Sequence, residues 1–328
     1  MLHIGYGSGG TTYAVSRHPV EQIDVVEISP DVVRVANQFF PEINRGAFSD
    51  PRVSFFWGDG RNYLLSTQRR YDVILSDSIH PSTAGNGNLY TLEYFRHAAR
   101  RLEPGGIFST WLPMYRLTPE NFQQILKALA DAFEHITIWY AHNTVNRWVV
   151  VTGSSDPDFE LPGSSIDARF ARPEVRSDLA ELGYDHPLDL FDNLILGNRG
   201  ARALLEDVEP HRDDQPRVEY ESVVNSWDVW RNQTWRFNMT WLVGGRESFR
   251  DYLSGTGGWP ARLVNDYAVA SDLVVQGQLA YLSCRTRQAL RLFRRAVRRL
   301  PQHEEPWDFE ALGETPAPGC SLLGRPAQ

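Results

Sequence analysis

The chain has 328 residues, 42% of them hydrophobic and 23% charged, with a formal net charge of −8. This length supports a full core and two or three folded units, and the acidic balance argues against a general nucleic-acid binder. No apolar run is long enough to span a bilayer, and MLHIGYGSGG lacks the basic-then-apolar layout of a signal peptide.

Leu2-His3-Ile4 reads as a short strand that GYGSGG turns into a helix over residues 11–18. Met1 then falls inside a strand, one turn before a glycine loop, which reads as the start of a truncated chain. Residues 23–28 form a second strand carrying Glu27 at its end. Residues 30–40 have helical spacing, with Val32, Val33, Ala36 and Phe40 on one side and Asp31 suiting the first turn. Residues 53–57 are a third strand, followed by Gly58-Asp59-Gly60 and a short helix. Residues 71–77 are a fourth strand, which leads into SDSIHP. Residues 88–102 read as a helix stopped by Pro104-Gly105-Gly106. Residues 107–112 are a fifth strand, Thr118 caps a helix to position 133, and 135–140 with 147–152 close the unit as an antiparallel pair. Alternating strands and helices predict a doubly wound, mostly parallel, seven-stranded α/β sheet. Ligands of such sheets sit beyond the carboxyl ends of the strands.

The pattern changes near residue 153. DPDFELPGSS reads as a polar linker, 166–225 as helical and irregular, and the aromatic run holding Trp227, Trp230, Trp235 and Trp241 as packing rather than a base-stacking platform. In QGQLAYLSCRTRQALRLFRRAVRRLP, Gly277, Ala289, Phe293, Ala296 and Pro301 stand at the offsets of one tetratricopeptide-like repeat. Arg285, Arg287, Arg291, Arg294, Arg295, Arg298 and Arg299 surround its apolar stripe. This reads as a packed amphipathic helix with a solvated basic face, with docking of a partner or membrane surface as the rival. The division expected is 1–153 for the ligand-binding domain, 154–260 for an extension, 261–302 for the hairpin and 303–328 for a loose tail. Cys284 and Cys320 lack metal-type spacing and read as two reduced thiols of a cytoplasmic protein; no metal is implied.

Gly5, Gly7, Gly9 and Gly10 let the backbone turn tightly and approach a ligand. Gly5-x-Gly7-x-x-Gly10 satisfies the dinucleotide fingerprint, and Gly5-x-Gly7-x-Gly9 equally satisfies the loop of S-adenosylmethionine enzymes. The acids separate the two. Glu27 ends strand two, where it can accept ribose hydroxyls. Asp59, with Gly60 beside it, ends strand three, where it can accept an adenine amine. Asp77 ends strand four, beside the place of a reactive sulfonium carbon. Three acids at consecutive strand ends are costly to bury without partners, and a nicotinamide enzyme has no need of the last two.

LHIGYGSGG, DVVEISPDVV, DPRVSFFWGDGRNYL, YDVILSDSIHP and LYTLEYFRHAARRLEPGGIFSTWLP together resemble the spermidine synthase family of aminopropyltransferases, over residues 2–152. The likeness is greatest to the divergent bacterial branch, whose domain is often fused to membrane segments upstream and helical repeats downstream. HRDDQPRVEY, residues 211–220, also resembles those longer proteins. The resemblance implies the S-adenosylmethionine-dependent methyltransferase fold and decarboxylated S-adenosylmethionine as donor. It also implies a small-molecule amine acceptor, with Asp77 matching the acid that deprotonates it. The second acid of that motif is His80 here, and the usual loop acid that anchors the donor amine is Ser8. The family's upstream hairpin domain has no counterpart in this sequence. Each lost charge-assisted bond to a cation costs about 1.5–3 kcal/mol. His80 is therefore either a second base or orienting donor on the substrate side, or a loop residue bonded to backbone; Tyr90 and Tyr115 either line the acceptor pocket or pack in the core. Methyl transfer from intact S-adenosylmethionine and a non-catalytic interaction module are the rival readings. A homodimer and a protein partner at the C-terminal repeat stay open.

Overall fold

The structure, a computed structural model, describes every residue except 143–145, 157–158, 225–227, 256–257, 301–319 and 321–328, and describes no side chains at 222–224 and 228–233. Its main sheet runs β1 (Leu2–Ile4), β2 (Ile23–Glu27), β3 (Val53–Trp57), β4 (Tyr71–Ser76), β5 (Leu102–Pro113), β6 (His135–Trp139) and β7 (Trp148–Ser154). The spatial order is β3-β2-β1-β4-β5-β7-β6, continued by an eighth strand, Leu194–Leu196. Pairing is parallel from β3 through β5 and antiparallel beyond it. Seven strands were expected; the eighth comes from the extension, where three residues between Asn193 and Gly197 carry no usable period. Leu194, Ile195 and Leu196 are all buried.

Every residue of β1 and β2 is buried, as strands covered on both faces require. The glycine loop opens helix α1 (Gly10–Ser16), which begins one residue earlier and ends two residues earlier than expected. Ser29 caps helix α2 (Pro30–Phe39) by accepting the Asp31 amide, with Pro30 at the first position, where its missing N–H costs nothing. The helix expected over 88–102 is Leu92–Arg100, capped by Thr91, with a 3₁₀ turn at Gly87–Leu89 before it. Pro104-Gly105-Gly106 does not stop that helix but lies within β5, where the pairing with β4 shifts register.

The expected linker holds a two-residue strand, Leu161–Pro162, which pairs with Leu253–Ser254. One core joins the sheet to the extension: Leu126, Phe133 and Ile138 cluster with Leu196, Val218, Trp235, Met239 and Val275. Trp235 is buried beneath the Arg147 guanidinium; Trp227 and the Trp230 side chain lie outside the described residues. A second core holds the hairpin of Ala261–Leu282 and Thr286–Arg299. There a Cβ on Gly277 would stand 2.5 Å from the Phe293 ring, so the helices meet at a glycine. Ala289, Phe293, Ala296 and Leu300 face inward, and the surrounding arginines named above are exposed. The tail expected to be loose lies outside the described residues except Cys320. That residue is disulfide-bonded to Cys284, which corrects the expectation of two free thiols. A separation of 36 residues hid their proximity. Among the described residues no helix is long and apolar enough to cross a membrane, and no group of three or more His, Cys, Asp or Glu is placed to hold a metal.

Candidate active site

Strand register builds the site. Ile4 pairs with Val26 and Ser76, and Glu27 pairs with Trp57. The residues that follow β1, β3 and β4, together with Glu27 itself, therefore leave the sheet along one edge. Gly5, Gly7, Glu27, Asp59 and Asp77 all lie there.

The glycine loop is fixed at both ends. Gly5 donates to the Val26 carbonyl at 2.9 Å and has φ +88°. A Cβ there would stand 2.6 Å from the Asp77 carbonyl oxygen, so β1 and β4 can diverge this tightly only over glycine. Gly9, at φ +85°, would place a Cβ against the Tyr6 ring and Asn44. Gly7 differs: its φ is +54°, and nothing lies within 4 Å of a Cβ built on it. The open space over the loop is at Gly7.

Glu27 is nearly sealed, at 6% exposure. One carboxylate oxygen accepts the Tyr6 amide at 2.9 Å and the other the Ser29 amide at 3.1 Å. The acid ties the glycine loop to the end of β2, and each oxygen keeps a further lone pair. Asp59 caps the Gly60–Ser66 helix, with Oδ1 accepting the Asn62 amide at 2.8 Å. Gly60 has a packing reason for being glycine: a Cβ would stand 2.3 Å from Ile4 Cγ2. Ile28, Trp57 and Ile79 are exposed by 71, 53 and 64% along this same edge. Apolar side chains this open beside strand-end acids form a surface on which a flat ring can lie. Sequence reading passed over them, although Ile28 and Trp57 sit next to and at strand ends and Ile79 lies in the loop that follows β4.

The Asp77 side chain is 44% exposed. Its Oδ2 accepts the Thr11 hydroxyl at 2.9 Å, so the first turn of α1 aims the acid. Behind it, His3 is fully buried, with Nε2 4.0 Å from the same oxygen. His3 Nδ1 shares a hydrogen bond with Thr12 Oγ1 at 2.9 Å, and its Nε2 has no hydrogen-bond partner. Burial lowers the ring's pKa from 6.5 to about 4, against the pull of Asp77. His3 was not singled out from the sequence, where it reads as one more residue of a buried strand.

His80 turns into its own loop. Nε2 meets the Tyr115 carbonyl at 3.1 Å, and Nδ1 faces the Ser82 amide at 3.1 Å and the Ser82 hydroxyl at 2.7 Å. That geometry suits a neutral ring that donates from Nε2 and accepts at Nδ1. Burial also lowers its pKa to about 4. With both nitrogens engaged, the second-base role expected for His80 has no free atom to use. Tyr90 has no exposed surface, and its hydroxyl donates to the Ile79 carbonyl at 3.3 Å. It backs the loop rather than lining an open pocket. Tyr115 is half-buried against the His80 ring, 5.1 Å between centroids.

Residues 1–156 match the spermine/spermidine synthase domain family. A polyamine aminopropyltransferase of Korarchaeum cryptofilum is 30% identical over 230 residues, covering 67% of this chain and 68% of that protein. One from Sodalis glossinidius is 44% identical over 142 residues, 43% of this chain and 49% of that protein. The chain thus spans about two thirds of the first relative and about half of the second. The crystal structure of spermidine synthase from Thermotoga maritima aligns over 52% of this chain and 59% of its own, at 24% identity and a TM-score of 0.42. On its sequence match and on coverage of the Korarchaeum relative, the chain belongs to the spermine/spermidine synthase family.

Proposed function

We propose that the chain transfers an aminopropyl group from a decarboxylated S-adenosylmethionine-type donor to an amine acceptor, with Asp77 as the acceptor-side base. The observation that carries this reading is the single edge on which the open glycine loop, Glu27, Asp59 and the half-exposed Asp77 meet. Glu27 has lone pairs left for ribose hydroxyls, and the free oxygen of Asp59 is available to an adenine amine. Trp57 and Ile28 offer the flat apolar surface.

An alkylammonium acceptor, with a pKa near ~10, has no lone pair until it loses a proton. The Asp77 carboxylate, aimed by Thr11, attracts that cation and takes the proton. The freed nitrogen attacks the propyl carbon bonded to sulfur. The carbon–sulfur bond breaks, its electron pair passes to sulfur, and the sulfonium becomes a neutral thioether. No covalent intermediate with the protein is needed, so positioning and local electrostatics supply most of the acceleration.

Ser8 favours a second reading, methyl transfer from intact S-adenosylmethionine. It is half-buried in the glycine loop, where no carboxylate is present to pair with a donor amine. Calorimetry with both donors separates the two. The first reading expects tighter binding of the decarboxylated form and appearance of the thioether product with a diamine. Asp77→Asn should slow transfer by about 10²–10⁴-fold and leave donor affinity within a few-fold. Preference for the carboxylated donor, or an Asp77→Asn protein of full activity, would overturn it.

A further inference from the structure

We propose that Glu219, in the extension, is a positioning residue for the acceptor side of the site, holding the 78–91 loop in place through two backbone amides. The inference rests on the reading of Asp77 given above, because that acid begins the loop. Glu219 lies in the Arg217–Val224 helix, outside the family match at 1–156. One of its carboxylate oxygens accepts the Gly85 amide at 3.1 Å and the other the Gly87 amide at 2.9 Å. Two amides converging on one carboxylate form a small anion nest, filled here by the protein's own side chain.

Both loop positions suit glycine, Gly85 through its backbone and Gly87 through its closeness to the carboxylate. Gly85 has φ +83°, a left-handed conformation that other residues adopt at a cost. A Cβ on Gly87 would stand 2.9 Å from Glu219 Oε1. The same stretch of the extension grips the loop elsewhere. His211 Nε2 lies 3.3 Å from the Gly87 carbonyl, and the His211 carbonyl accepts the Leu92 amide at 2.9 Å. Arg61 donates to the Asn88 carbonyl at 2.7 Å and pairs with Asp213. Within the loop, Thr83 donates to the His80 carbonyl and Asn86 to the Thr83 carbonyl. The backbone between Asp77 and Leu92 is thus tied at one end to the sheet and towards the other, at Gly85, Gly87 and Leu92, to residues 211–219. The extension takes the part of an outer wall, and the shape of the acceptor side depends on it.

The experiment compares the full chain with Glu219→Ala and Gly87→Ala. The second variant keeps the carboxylate but intrudes on the space it occupies. Hydrogen exchange of the Gly85 and Gly87 amides should quicken at least tenfold in both, with the sheet amides unchanged. The KM for a diamine should rise about tenfold or more, while kcat falls less and donor affinity by calorimetry stays within twofold. Glu219→Gln, which keeps one acceptor oxygen, should fall between. Unchanged exchange at Gly85 and Gly87 in Glu219→Ala overturns the proposal. So does faster exchange accompanied by an unchanged diamine KM, or by loss of donor affinity instead. If the wild-type chain transfers nothing to any diamine, the reading of Asp77 fails, and the exchange rates alone decide whether Glu219 holds the loop.

Discussion

Two buried imidazoles lie near Asp77, His3 on the neighbouring strand β1 and His80 further along its own loop, and neither is placed to carry charge. His3 has an unpaired Nε2 sealed from water, and His80 needs its Nδ1 lone pair for the Ser82 amide. Unfolded, each takes up a proton near pH 6.5; folded, neither does until about pH 4. Between those values the unfolded chain binds more protons, so stability rises with pH and is lost on acidification from 6.5 towards 4. Each ring can withdraw on the order of 3 kcal/mol, at about 1.4 kcal/mol per pH unit. Urea midpoints between pH 4.5 and 7 should show this slope. His3→Leu should remove roughly half of the part due to these two rings while costing about 1–3 kcal/mol at pH 7, since a similar volume is kept but the buried Thr12 hydroxyl loses its partner. A slope unaltered by His3→Leu would mean that the ring is already charged in the fold. The acids Glu27, Asp59 and Asp77 were legible from sequence because each ends an apolar run. His80 was visible but undecided, because the choice between substrate and backbone depends on where its ring turns.

At the scale of elements, the strand-to-helix turns hold both close packing and open space, and the glycines divide between the two. Gly60 meets Ile4 and has no positive φ, whereas Gly7 meets nothing and sits at φ +54°. Gly60→Ala should therefore destabilise by about 1–3 kcal/mol through overpacking, with donor affinity reduced only as far as the helix start moves. Gly7→Ala should cost about 1–2 kcal/mol in backbone strain but weaken donor binding at least tenfold, because its methyl group enters the open space over the loop. Thermal denaturation and calorimetry on the pair would show the crossover; donor binding untouched by Gly7→Ala would place the ligand elsewhere. The regular elements of residues 1–156 were readable because propensity, periodicity and turn chemistry agree there. The boundary at Thr91 was not, since the turn before it is shaped by Glu219, 132 residues from Gly87.

At the scale of the molecule, long-range polar contacts join the parts. Arg61 reaches Asp213 across 152 residues, and Gln278 donates to the His142 carbonyl across 136. No local pattern announces such pairs, which is why the extension read as irregular although it supplies a strand, a wall and a share of the core. The disulfide is the most distant in consequence. Cys284 stands at φ +60° just after the Ala261–Leu282 helix, in the turn of the hairpin. Closing a loop over a separation of 36 residues stabilises by up to about 4 kcal/mol if the effect is entropic. Disulfides persist in oxidising compartments, so the bond weighs against the cytoplasmic placement expected from composition. Reductant, or Cys284→Ser, should lower the unfolding midpoint of the hairpin by an amount equivalent to about 2–4 kcal/mol. Exchange at the Gly85 and Gly87 amides should not change, because the described contacts that hold their loop come from Arg61, His211 and Glu219. Alkylation without reductant decides the premise: protected cysteines in the purified native chain support the bond, and two freely alkylated thiols would remove it together with its bearing on location.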